Sequence, residues 1–418
     1  MSASEASTGV GPEAKASLPG ETVPSPTPER APFVRGPWEL GGLVTFCSLA
    51  VLHALLVKPY ASDFAVVHRA AERALHGDEL YRLSELNPFK YSPAAAVLLA
   101  PLGLLPLGAA HAVWAAISAV CTWYFLAWTV RRTGTGQPTW VAAIPVVLVT
   151  PSVLHHFALG QCDAVLLALC ALSEEAAERQ PWRSGLALAA AALLKLPVLV
   201  LLVPALWLGH WRRLAAVAVG LAVASVLAVL RFGGLEPFAQ WRHLLAETTP
   251  PMLCGSQNQS AWALVCTYVG PPDSTAFAAG LAVIALAVTA SLGLVVALTL
   301  RADHQRGRVA AFAVALFLSV FLSPLGWWTN LIALAPLLGL LAAQTWETPS
   351  RAGRWLGILG LGAMGLAGAL NFDTVGRAAS DAFLQARHLS IAALIAAMSF
   401  ALMPTLCARP RERRAPST

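Results

Sequence analysis

Apolar runs of membrane-spanning length recur along almost the whole of this chain, and no other feature constrains its fold more. A helix that crosses lipid needs about 20 apolar residues, because hydrocarbon offers no partner to backbone N–H and C=O groups. Candidate spans read at 38–57, 108–130, 139–158, 162–177, 183–195, 197–208, 211–231, 276–300, 308–323, 327–343, 355–370 and 388–406, about twelve crossings. Of the 418 residues 57% are hydrophobic and only 12% charged, where a soluble domain carries about 25% charge. The expectation is an all-α polytopic membrane protein, one integrated helical domain over 38–407 with no separate soluble domain. The spans 183–195 and 197–208 are too short for a full crossing and read as tilted, broken or partly re-entrant. The apolar stretch 93–105 reads as a broken first half of the span ending at Val130.

The ends of the chain differ from its middle. Residues 1–37 are rich in Pro, Ser, Glu and Ala and read as a disordered cytoplasmic tail. Residues 408–418, with Arg409 to Arg414, read as a second, basic tail suited to anionic lipid. Between the spans, arginines gather on one side: Arg131 and Arg132, Arg179 and Arg183, Arg212 and Arg213, Arg301 to Arg308, Arg351 and Arg354. The positive-inside rule makes that side, and both termini, cytoplasmic. The net charge of +6 is thereby accounted for by membrane topology and needs no nucleic acid.

The opposite side collects the unusual polar residues. Its outer loops are 58–92, which holds Asp63, a basic amphipathic run from Ala65 to His76, Lys90 and Tyr91, and 232–275, which holds Gly255 to Ser260. Gly160-Gln161-Cys162-Asp163, Lys195 and Ser323 to Asn330 join them. A carboxylate where a membrane helix ends, beside a helix lying on the membrane, can act on a lipid headgroup; it can equally be a solvated loop charge. Arginine is the usual cation here, and three of the four lysines, Lys58, Lys90 and Lys195, fall on this outer side. Lys195 lies between two apolar runs, where a charge is costly and points to function, although a lysine that snorkels from a helix end is the plainer reading. His155 and His156 end a span on the same side; His68 and His76 are expected to face water. Asp163 and Asp273 compete as carboxylates, Asp273 in a turn-like Gly-Pro-Pro-Asp-Ser setting. The seven cysteines lack metal-ligand spacing. Cys254 and Cys266 share a polar loop and can pair if it faces an oxidising compartment.

In order along the chain stand Asp63; Leu80-Tyr81; Phe89-Lys90-Tyr91-Ser92-Pro93; Pro101 and Pro106; Gly160-Gln161; Gly185 and Leu194-Lys195-Leu196-Pro197; Gly255 to Ser260; and Leu322-Ser323-Pro324-Leu325-Gly326-Trp327. This ordered set resembles glycosyltransferase family 87, the bacterial polyprenol-phosphate-mannose-dependent mannosyltransferases. The resemblance covers about residues 38–345. It implies a GT-C fold with an outer-face amphipathic helix after the first span, in a bacterial plasma membrane. It implies inverting transfer of a sugar, mannose or another hexose or pentose, from a polyprenyl-phosphate donor to a lipid or glycan acceptor on the outer face. An inverting transfer needs a base for the attacking hydroxyl, and the family's acidic residue after the first span matches Asp63. The leaving lipid phosphate needs cations: Lys195 first, then Lys90, Arg69 and Arg73. Tyr91, Gln161, Gln257 and Asn258 are the candidates for sugar hydroxyls, and Trp327 or Trp328 for stacking on a sugar or prenyl chain. No resident cofactor or metal is called for, though a divalent cation at the donor phosphate is compatible with the pattern.

The pattern departs from the family in one place. After the Ser-Pro pair many members carry Trp followed shortly by His; here Trp328, Thr329 and Asn330 stand there. Sugar and acceptor identity therefore stay open. A transporter or lipid flippase is the competing class; it predicts mid-span charges and a two-fold repeat of the helix pattern, and neither is found.

Overall fold

In a computed structural model the described residues are all helix and connecting loop. The structure describes residues 37–56, 62–134 and 136–407. The expected tails, along with Lys58, Tyr60 and Ala61, lie outside the described residues.

The first half runs α1 (Pro37–Leu56), α2 (Ser62–His76), α3 (Pro93–Leu99), α4 (Leu107–Thr133), α5 (Thr139–Leu159), α6 (Asp163–Ala176), α7 (Pro181–Leu194), α8 (Leu202–Trp207) and α9 (Trp211–Phe232). The second half runs α10 (Glu236–Thr248), α11 (Ala261–Tyr268), α12 (Thr275–Ala302), α13 (His304–Phe321), α14 (Ala335–Glu347), α15 (Arg351–Ala369), α16 (Phe372–Val375), α17 (Arg377–Gln385) and α18 (His388–Cys407). Short 3₁₀ turns precede α8 and α14, at Leu196–Leu201 and Trp328–Leu334. α13 and α14 form the centre, with α4, α5, α6, α12 and α18 packed around them in one continuous apolar core.

The expected twelve crossings are not what forms. Among the described residues five helices are long and apolar enough to cross: α4, α5, α9, α12 and the continuous Trp328–Glu347 segment. A sixth arises if α17 and α18, bent by 54° at their junction, count as one span. The reason is length. α6 and α7 have 14 residues each, so each rises only about 21 Å at 1.5 Å per residue, short of the ~30 Å hydrocarbon core. The run between α7 and α8 breaks at Lys195, which is extended at φ −147°, and Pro197 stands in the first turn of the 3₁₀ segment that follows.

Two further expectations are corrected. The stretch 93–105 is not the first half of α4: α3 and the turn Ala100–Leu104 fold back on α2, and Pro106 then starts α4. Nor does α2 lie freely on a membrane surface. Phe64, Val67 and Ala71 enter the main core while Val66, Ala70 and Ala74 enter a second one with Leu80, Tyr81, Phe89 and Leu244. His68, expected to face water, is buried and bonds the Leu105 carbonyl at 2.9 Å through Nε2; His76 is exposed.

Candidate active site

α5 ends at Gly160, whose left-handed backbone (φ +67°) turns the chain sharply, and α6 begins three residues later. A residue with a side chain is strained in that conformation. Trp114 Nε1 pins the turn by donating to the Gly160 carbonyl at 3.0 Å. The turn aims two side chains at two separate partners. Gln161 Nε2 donates to Asp63 Oδ2 at 2.9 Å. Asp163 Oδ1 accepts from Lys195 Nζ at 2.8 Å. Between them the Cys162 thiol donates to the Tyr91 hydroxyl at 3.3 Å. Four segments distant in sequence thus meet at one four-residue turn.

Asp63 stands in the first turn of α2, where the helix dipole favours a carboxylate. Ser323 to Asn330 close the site from the far side: Thr329 Oγ1 donates to Gln161 Oε1 at 2.7 Å. An open pocket lies beside the ion pair, lined on its polar side by Asp163, Lys195, Ser319, Ser323 and Asn330. Asp163 Oδ2 is buried there without a hydrogen-bond partner among the described residues. Both ring nitrogens of the fully buried His156 are likewise without one.

The electrostatics follow from this crowding. Burial first, then the Cys162 thiol and the carboxylates of Asp163 and Asp63, push the Tyr91 hydroxyl well above the usual phenol range. Burial pushes the Cys162 thiol up to about 11. Burial opposes the Lys195 charge, but Asp163, Cys162 and Asp63 together more than offset it, and Lys195 stands above the ordinary lysine value. Burial lowers Lys90, whose Nζ hydrogen-bonds the Met252 thioether at 2.9 Å and has no carboxylate partner among the described residues. Among the described residues no group of three or more His, Cys, Asp and Glu gathers as a metal site.

Several expected site residues stand elsewhere. Arg69 and Arg73, expected at a donor phosphate, both pair with Glu85, Arg69 at 3.8 Å. Asn258 is fully buried and fully used: it donates to the Leu253 and Pro324 carbonyls and accepts from the Ser260 and Gly326 amides. It braces the loop and has nothing left for a sugar. Gln257 is exposed, and its carbonyl takes the Trp328 amide at 3.3 Å. Trp327 bridges Asn258 in a short antiparallel pairing, and a Cβ on Gly326 beside it would strike Ser260 and the Val320 carbonyl. Trp328 packs at a tilt against His155, ring centroids 3.9 Å apart, and lines a second, mostly apolar groove with Leu148, Pro151, Met364, Leu370 and Leu389. Cys254 and Cys266 form a disulfide, Cα atoms 5.7 Å apart.

Arg387 was not anticipated from the sequence. It is buried, has a positive φ of 57°, and donates to the carbonyls of Cys254, Gly255 and Asn258 and to Thr267 Oγ1. Nothing in the local sequence marks it, because its partners lie over 100 residues away.

The family model for glycosyltransferase family 87 matches residues 89–324, more than half of the chain. A polyprenol-phosphate-mannose-dependent alpha-(1-2)-phosphatidylinositol mannoside mannosyltransferase of Mycobacterium tuberculosis is 27% identical over 75% of this chain and 80% of its own length. The protein of the same description from Mycolicibacterium smegmatis is 26% identical over 70% of this chain and 72% of its own length. Among solved structures, ArnT from Cupriavidus metallidurans bound to undecaprenyl phosphate aligns with a TM-score of 0.38 at 16% identity, covering 88% of this chain and 76% of that one.

Proposed function

The chain belongs to glycosyltransferase family 87, and from that premise we propose that it moves a sugar from a polyprenyl-phosphate donor to a lipid or glycan acceptor at the extracytoplasmic side of a membrane, with inversion. Its relatives are named for polyprenol-phosphate-mannose, which makes mannose the first donor sugar to test. The GT-C fold and both cytoplasmic termini belong to the same reading.

The observation that carries the reaction is the turn Gly160–Asp163, which holds a carboxylate, Asp63, and a cation, Lys195, on either side of Tyr91. In the proposed step Asp63 takes the proton of the acceptor hydroxyl. The acceptor oxygen bonds the anomeric carbon from the face opposite the phosphate. The anomeric C–O bond to the phosphate breaks, and its electron pair stays on the phosphate oxygen. That growing charge is met by Lys195, which exchanges Asp163 for phosphate, and by Lys90, which has no carboxylate partner among the described residues. Asp63 then returns its proton to water. Tyr91 and Gln161 are the sugar-facing groups of this reading. The apolar groove ending at Trp328 suits the lipid chain of a substrate. The disulfide Cys254–Cys266 supports an extracytoplasmic loop, since such bonds persist in oxidising compartments.

The test is Asp63→Asn in the full chain, assayed with polyprenyl-phosphate mannose. Loss of transfer at normal expression is expected; full transfer removes Asp63 as the base. Mass spectrometry of lipids and glycans from cells with and without the gene identifies the sugar and the acceptor class together.

A further inference from the structure

We propose that Thr329 is a positioning residue for Asp63, acting through the amide of Gln161. The inference rests on Asp63 being the base.

A glutamine amide has a donor end and an acceptor end, and beside a carboxylate only the donor end is useful. The direction of the Gln161 amide follows from a backbone group that can only donate. The Trp327 N–H donates to Asn330 Oδ1 at 2.9 Å, so Asn330 presents its Nδ2 outward. That nitrogen donates to Thr329 Oγ1 at 3.5 Å, the longest link. With a lone pair so engaged, the Thr329 hydroxyl sends its proton to Gln161 Oε1 at 2.7 Å. Gln161 is left with Nε2 facing Asp63 Oδ2 at 2.9 Å. Exposures of 5%, 1% and 8% for Asn330, Thr329 and Gln161 limit competition from water at the links between these three residues.

Every member of this relay is neutral. It steadies the carboxylate with hydrogen bonds that are weaker than those of a cation, and so leaves it able to accept a proton. Only a hydroxyl can sit at position 329 and both accept from Asn330 and donate to Gln161. Valine matches threonine in shape and can do neither, so Gln161 Oε1 loses its partner and the amide loses its direction.

The test compares Thr329→Val, Thr329→Ser and Asp63→Asn in the full chain in lipid nanodiscs, with polyprenyl-phosphate mannose as donor. Outer partners that orient a functional group are typically worth roughly ten- to a hundredfold. Thr329→Val is expected to lower kcat by about that factor with KM for the donor unchanged, and Thr329→Ser to restore it. A second readout needs no substrate: the infrared carboxylate band isolated as wild type minus Asp63→Asn should shift in Thr329→Val and not in Thr329→Ser. Equal behaviour of the Val and Ser variants, a loss confined to KM, or an unmoved band overturns the relay. The two claims separate cleanly. Full transfer by Asp63→Asn removes the base, whereas an inactive Asp63→Asn with an unimpaired Thr329→Val removes the relay alone.

Discussion

Lys195 and Asp163 are each other's only salt-bridge partners among the described residues, at 2.8 Å, with side-chain exposures of 24% and 5%. Taking one charge from a buried pair is far costlier than replacing both, because the survivor is left desolvated and uncompensated. Lys195→Met is therefore expected to destabilise the protein by about 3 kcal/mol, read as a lower Tm in detergent. Lys195→Met combined with Asp163→Leu should recover most of that Tm while transfer stays lost. A double variant that regains transfer along with Tm shows that the pair serves structure alone. Asp63, Lys195 and Gln161 stood out in the sequence as polar groups beside apolar runs, and the structure brings them to one turn; their roles in transfer are the proposal. Thr329 stood out only as part of a departure from the family pattern; a role for it needs its partner, 168 positions away, to be seen. The partner of Arg69 and Arg73, Glu85, was likewise not legible, since it meets them only once the loop after α2 has folded back.

Among the elements, the loop Leu253–Ser260 shows how a polar sequence becomes a structural brace. Asn258 ties it to the turn after α13, Gln259 bonds the Leu384 carbonyl at 3.0 Å, and Arg387 gathers three of its carbonyls. A run of amides on an outer loop looks like sugar-binding equipment, yet here backbone groups claim most of it. Arg387 adopts the left-handed region, which costs a residue with a Cβ roughly 1 kcal/mol or more, and its buried hydrogen bonds hold it there. Arg387→Ala should raise amide hydrogen exchange across 253–260 and lower Tm, while Arg377→Ala on the exposed start of α17 should do neither. Unchanged exchange at 253–260 would mean that the disulfide and Asn258 suffice to hold the loop. α2 makes the parallel point for helices. Its amphipathic pattern was legible, but with apolar residues on two faces it is clamped between two cores; periodicity shows which face is buried, not what buries it.

At the scale of the whole molecule, α6 separates two kinds of charge. Asp163 at its start belongs to the candidate site; Glu174 near its end joins Arg213 at 3.3 Å and Arg308 at 2.8 Å. Those 11 steps amount to about 17 Å of helix rise, so the site sits well within one bilayer thickness of the arginine-rich end. If that end is cytoplasmic, a membrane-impermeant thiol reagent added to intact cells should label Leu86→Cys, which is fully exposed beyond α2, but Asp303→Cys between α12 and α13 only after permeabilisation. The opposite labelling pattern reverses the orientation and with it the outer-face site.

Composition and apolar run length alone determined that this chain is an all-helical membrane protein, because hydrocarbon admits few backbone solutions and leaves its mark on every stretch of sequence. The ordered polar motifs also determined the family, since each is a local string. The partners of Lys195, Arg69 and Arg73, the bracing contacts of Asn258, and the hydrogen bonds that link Trp327, Asn330, Thr329, Gln161 and Asp63 emerged only in the tertiary structure. Hydrogen bonds and ion pairs act over about 3 Å between residues that can be 100 or more positions apart, and no local pattern records which of them will meet.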